Sequence, residues 1–155
     1  MRTRTVSRMA ALCAVLWLAS AGPSSSAEDP AARLHQARGL HCTFTSAITV
    51  WVRNGHRTVD QTHDKSSAVY ENINIDKGTA RVIGNAGAND LVIWFDRSGS
   101  LWMLERTAGG QEVVTTVVPM YAEDTNELVV LETRHTFTGP VVTGETDYGT
   151  CKVWD

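Results

Sequence analysis

The sequence predicts an all-β fold: an antiparallel meander of about eight strands closing into a small β-barrel, preceded by a short N-terminal helix. Three observations predict it. Residues 42–52 alternate between two faces. Clusters of turn formers recur at short intervals after them. No amphipathic helical period of about ten or more residues interrupts the series. Sequential strands on short turns favour an up-and-down barrel, and a two-sheet β-sandwich is the alternative.

The chain of 155 residues is 43% hydrophobic and 20% charged, enough apolar surface for one globular core. With a formal net charge of −3, nothing in the composition is basic enough to suggest a nucleic-acid binder, and no nucleic-acid partner is expected.

Residues 1–27 read as a secretory signal peptide. Arg2, Arg4 and Arg8 form its positive start, and Met9 to Leu18 its apolar centre. Ser25 and Ala27 fit the small-x-small cleavage pattern, as do Ala19 and Ala21. The apolar run is too short to cross ~30 Å of hydrocarbon, so no membrane span is expected. Residues 28–155 then form a single β domain, secreted or periplasmic. Removing the leader takes away three arginines and no acid, leaving a mildly acidic chain.

Cys13 leaves with the leader. Cys42 and Cys151 remain, near opposite ends of the mature chain. In an oxidising compartment such a pair is expected to form a disulfide.

Asp29 as N-cap, Pro30 at the first helical position and Gly39 beyond the end predict the short helix. Cys42 to Val52 follows as a half-buried strand. Its even positions hold Cys42, Phe44, Ser46, Ile48, Val50 and Val52, and Trp51 lies on the other face. Asn54-Gly55 is a type I′ hairpin signal, since both turn residues need positive φ. The return through His56 to Val59 is polar and belongs at an edge or a mouth. Ala68 to Ile75, Thr79 to Ile83, Leu91 to Phe95 and Leu101 to Arg106 read as the next strands. Val113 to Val118 follows, with Pro119 as its end because proline cannot donate to a ladder. Leu128 to Phe137 reads as the final long strand, and Thr150 to Trp154 as a tail pinned by the disulfide, with Trp154 closing one end.

Few residues are candidates for chemistry. His135 shares a face with Val129, Leu131 and Phe137, whereas Glu132 and Arg134 point the other way. That places His135 with the apolar set, either as a capped core residue or as the polar group orienting a ligand. Trp51, Trp94 and Trp102 are candidates to line a pocket or mark a contact patch. Asp60, His63 and Asp64 match no metal-ligand spacing and read as a solvated loop. No nucleophile elbow, zinc-protease helix or phosphate loop occurs, and no metal or cofactor is expected.

The function the residues favour is an exported barrel that binds a small apolar ligand or a protein partner, with no chemistry identified. One alternative is a structural or protein-interaction domain with a solid core. Another is a small enzyme using His135 with Glu132 or Arg134. Bulky inward residues would fill the interior, whereas small ones such as Ser46, Ala47 and Ala80 would leave room.

Overall fold

The computed structural model describes residues 28–84 and 87–154. Residues 1–27, read as a leader from the sequence, lie outside the described residues.

Helix α1 spans Pro30–Gln36, and the Asp29 side chain accepts the Ala31 N–H at 3.2 Å. It ends earlier than Gly39 suggests, and Gly39 instead opens the first strand. Nine strands follow: β1 (Gly39–Arg53), β2 (His56–Thr62), β3 (Ser66–Asn74), β4 (Thr79–Gly84), β5 (Gly87–Phe95), β6 (Leu101–Arg106), β7 (Glu112–Tyr121), β8 (Leu128–Thr138) and β9 (Val141–Trp154). All pair antiparallel, in the order β2-β1-β3-β4-β5-β6-β7-β8-β9, and β1 also pairs with β9. That last pairing closes an eight-strand barrel and leaves β2 as the extra strand. The sandwich alternative is not what forms.

β1 belongs to two neighbourhoods on one edge. Leu40 to Phe44 pair with β3, and Ala47 to Arg53 pair with β2. On its other edge β9 runs along it from Gly39↔Trp154 to Arg53↔Val141. The outer ends of β8 and β9 thus join β1 and β2 in a flap that rises beyond the barrel rim. The polar return strand takes the edge position its sequence indicates, on a type I′ turn with Asn54 at φ 50° and Gly55 at φ 79°.

Three details differ from the sequence reading. A register shift between Phe44 and Ser46 switches the inward set of β1. Leu40, Cys42 and Phe44 point in below it, and Ala47, Thr49 and Trp51 above it, while Ser46 turns outward. β7 runs through Pro119, in a segment whose pairing with β8 shifts between Val117 and Tyr121 and which lies past the end of β6. The proline therefore removes no ladder bond to β6. The tail is part of a 14-residue strand, β9, from Val141. Glycines disguise it: a side chain at Gly149 would collide with the backbone of Thr43 and Phe44.

One end of the barrel is apolar and plugged. Leu34 of α1 and Ala37, its C-cap, are fully buried there, packed with Leu40, Ile73, Leu101, Met103, Leu128 and Val130. The His35 ring stacks on Phe95 with centroids 3.9 Å apart. Gly39 leaves space for the Trp154 indole, which lies over it and is 41% exposed, while Val153 is the tail residue that packs against the core. Cys42 and Cys151 are direct cross-strand partners at disulfide distance, with Cα atoms 4.0 Å apart and both residues fully buried. Among the described residues no helix is long and apolar enough to cross a membrane.

Candidate functional site

Two surfaces carry the side chains that remain after the core is assembled. The first is a polar network inside the barrel toward its rim. Glu132 and Asp147 are cross-strand partners on β8 and β9, and Arg134 donates to both carboxylates at 2.7 Å. Tyr70 of β3 donates its hydroxyl to Glu132 Oε2 at 3.1 Å, and Thr115 of β7 does the same. The Tyr70 and Thr115 hydroxyls also lie 3.1 Å apart. Four strands are thereby tied by side chains that face the interior.

The electrostatics follow from burial. Burial, then the negative charge of Glu132, raises the Tyr70 pKa well above that of a free phenol. Burial also raises the Asp147 pKa, with Arg134 opposing it. Burial disfavours the Arg134 charge, but Glu132, Asp147 and Glu145 outweigh it, and the guanidinium is held ionised. The carboxylates and hydroxyls of this cluster find partners within it, as a structural strut requires, whereas the buried Arg134 Nε has none.

Replacing Arg134 with methionine is expected to cost about 1–3 kcal/mol at neutral pH. The figure is below that for a fully buried pair because the Arg134 side chain is 39% exposed. The variant leaves Asp147 and Glu132 charged without their cation. The folded-state pKa of Asp147 then rises further above its unfolded value. Stability is lost as pH rises through that folded pKa and recovered below the ordinary carboxylate range. Urea unfolding at pH 7 and pH 4 checks this: the gap to the wild type should narrow at pH 4.

The second surface is the outer wall. Cross-strand register aligns Trp94, Trp102, Thr116, Leu131 and Tyr148 in one row across β5 to β9. A neighbouring row runs Val92, Leu104, Val114, Thr133, Thr146 and Ile48. Trp94 and Trp102 stack with centroids 6.0 Å apart and planes 14° apart. Asp96 fixes the inner tryptophan: its carboxylate accepts the Trp102 indole N–H at 2.9 Å and also bonds Ser98 and Ser100. The Ser98 hydroxyl, then the Trp102 indole, hold the Asp96 pKa down at about 2. Trp102, Val114, Thr116, Leu131 and Thr133 line a shallow groove of about 470 Å³.

The sequence candidates divide between these surfaces. Trp94 and Trp102 lie together on the outer wall. Trp51 does not join them. The β1 register shift turns it to the inner face of the flap, where it lines a depression of about 310 Å³ with Arg53, Thr58 and Val141. His135 does share a face with Leu131 and Phe137, but that face is the outside of the barrel. His135 is exposed, and its ring rests 3.6 Å from the point where a Gly144 side chain would begin. Placing it in the interior is therefore incorrect. The inward face of β8 is the one with Val130, Glu132 and Arg134, because polar groups can enter when they satisfy one another. The sheet separates His135 from Glu132 and Arg134, so the proposed acid–base grouping does not assemble. Sequence reasoning missed Tyr70, Thr115 and Asp147, whose partners are up to 62 positions apart.

Ala47 and Ala80 are buried, and Tyr70, Leu40, Ile73, Leu101, Met103 and Leu128 occupy the interior. The groove and the flap depression both lie outside that core. Among the described residues no group of three His, Cys, Asp or Glu side chains could hold a metal ion. Compared with family models, curated proteins and solved structures, the chain matches none.

Proposed function

We propose that this chain is an exported binding module that docks a protein partner on the outer wall of its barrel. The observation that carries the reading is the groove between Trp102 and Leu131, set in a wall of aligned apolar side chains. Surface tryptophans held in one orientation are a common anchor for protein contacts. Asp96 supplies that orientation here by holding the Trp102 indole. Val92 is 59% exposed and Trp94 43%, so the wall offers apolar area that the described residues do not cover. The packed interior favours a partner outside the barrel over a ligand within it. The partner contributes an aliphatic or aromatic side chain to the groove, with the Thr116 and Thr133 hydroxyls at its floor. Export rests on the leader, whose removal starts the mature chain near Glu28, and on the buried Cys42–Cys151 pair.

A photoreactive benzophenone residue at position 116 tests the reading in protein exported by its producing cell. Position 81 is the control, since Arg81 lies on the outer wall among the charged partners Glu71 and Asp90. A protein adduct of one defined mass is expected from position 116 alone, and Trp102→Ala with Leu131→Ala should remove it. Equal labelling from both positions, or adducts with lipid only, would overturn the reading.

A further inference from the structure

We infer that β2 is a self-pairing edge through which two copies of this chain form a reversible two-fold dimer. This inference rests on the flap and is independent of the outer-wall groove.

Among the described residues β2 pairs with β1 and with no other strand. Six of its seven residues are exposed, and Val59 is the large apolar one among them, 56% accessible. Arg57 and Asp60, one charge of each sign, are the protective charges the edge carries. His56 to Thr62 contains no proline and no lysine, and its register with β1 is unbroken from Arg53↔His56 to Ala47↔Thr62.

The phase of the backbone decides how such an edge pairs. A two-residue type I′ turn makes Arg53–His56 the hydrogen-bonded closing pair. Bonded pairs then alternate along the ladder through Trp51–Thr58 and Thr49–Asp60. The N–H and C=O groups of Arg57, Val59 and Gln61 consequently point away from β1, to the free edge. An antiparallel two-fold pair centres on one of these residues as a bonded pair, or on Thr58 or Asp60 as a non-bonded pair. Centring on Thr58 sets Gly55 of the turn opposite Gln61 and leaves Thr62 unpaired, and centring on Asp60 sets two carboxylates opposite each other. Centring on Arg57 sets two guanidinium groups opposite each other and runs the strand into the Asn54-Gly55 turn. Centring on Gln61 carries it beyond the end of β2, bringing Val59 opposite His63. Centring on Val59 pairs the whole strand.

In that register Val59 meets Val59 of the second copy, and Arg57 meets Gln61. On the opposite face Thr58 meets Asp60, and His56 meets Thr62. No like charges stand opposite one another, and Asp60 gains a hydroxyl donor. The apolar side chains of the flap's outer face, Val50, Val52, Val59 and Val142, then continue from one copy into the other. A single strand pair buries little area, so the dimer is weak and concentration dependent.

Sedimentation velocity of the mature protein over a wide concentration series tests this. The wild type should pass from monomer to dimer. Val59→Asp and Val59→Lys should each lose the dimer, because each sets like charges on the two-fold axis. Their side chains point to solvent in the monomer, and circular dichroism should match the wild type. An equal mixture of the two variants should recover a heterodimer, since Asp and Lys then face each other. A wild type that stays monomeric throughout overturns the inference. So does a dimer that survives both substitutions, or a mixture that fails to recover it.

Discussion

Replacing Gly149 with alanine is expected to destabilise the barrel by about 3 kcal/mol or more. Gly149 lies on β9 between Phe44 of β1 and Val130 of β8. Its φ is not positive, so the requirement is one of space and not of conformation. A methyl group there would overlap the Thr43 carbonyl and the Phe44 Cα, both backbone, at the point where β1 shifts register. Backbone cannot swing aside as a side chain does, so β1 and β9 must separate along the seam that closes the barrel. Gly144, five residues earlier on the same strand, is the control. A methyl group there would meet only the His135 ring, at an ordinary 3.6 Å. Urea unfolding should show a large fall in midpoint for Gly149→Ala and little change for Gly144→Ala. Equal effects at the two sites would mean that the close approach does not matter.

The same glycines explain which parts of the fold the sequence discloses. Local signals survive intact: Asp29-Pro30 starts α1, Asn54-Gly55 turns β1 into β2, and Leu101 to Arg106 is a strand to the residue. What fails locally is what the neighbouring strand decides. Gly144 and Gly149 weaken the strand character of Val141 to Cys151, yet Gly149 accommodates the backbone of the neighbouring strand. Pro119 signals an ending only if the position is paired on both sides, and it is not. The shift at Phe44/Ser46 changes which face of β1 is inside and leaves no mark on the alternation.

The site follows the same division. Apolar alternation in β8 identifies two faces correctly but does not say which is inside. Leu131, His135 and Phe137 read as the core set, yet Phe137 is 76% exposed. The inward face was chosen by Tyr70, Thr115 and Asp147, which together make Glu132 and Arg134 affordable inside. Those contacts join β3, β7, β8 and β9, and only the closed barrel brings them into range. The tryptophan pair was more legible. Trp94 and Trp102 flank a short turn, and a hairpin register that joins Phe95 to Leu101 necessarily sets them opposite each other.

Removing the Cys42–Cys151 bridge by a double alanine substitution is expected to cost about 2–5 kcal/mol. The bridge closes a chain segment with a sequence separation of 109, for which loop entropy alone gives roughly 4–5 kcal/mol. It sits on the β1–β9 seam, so it restrains the contact that converts an open sheet into a barrel. The seam has other support, including the long ladder from Gly39↔Trp154 to Arg53↔Val141, so the variant should keep the barrel and lose margin. Both sulfurs are buried beside Leu40, Leu128 and Val130, which makes alanine the suitable replacement and leaves no polar group orphaned. Reduction of the native protein should require opening of the seam. Free thiols should then appear only as fast as the chain unfolds, and urea should accelerate them. Rapid reduction in the folded state, or a double variant within about 1 kcal/mol of the wild type, would show that the ladder alone holds the seam. If the bridge contributes as expected, the chain is least stable before oxidation, and an oxidising compartment is what makes its closure permanent.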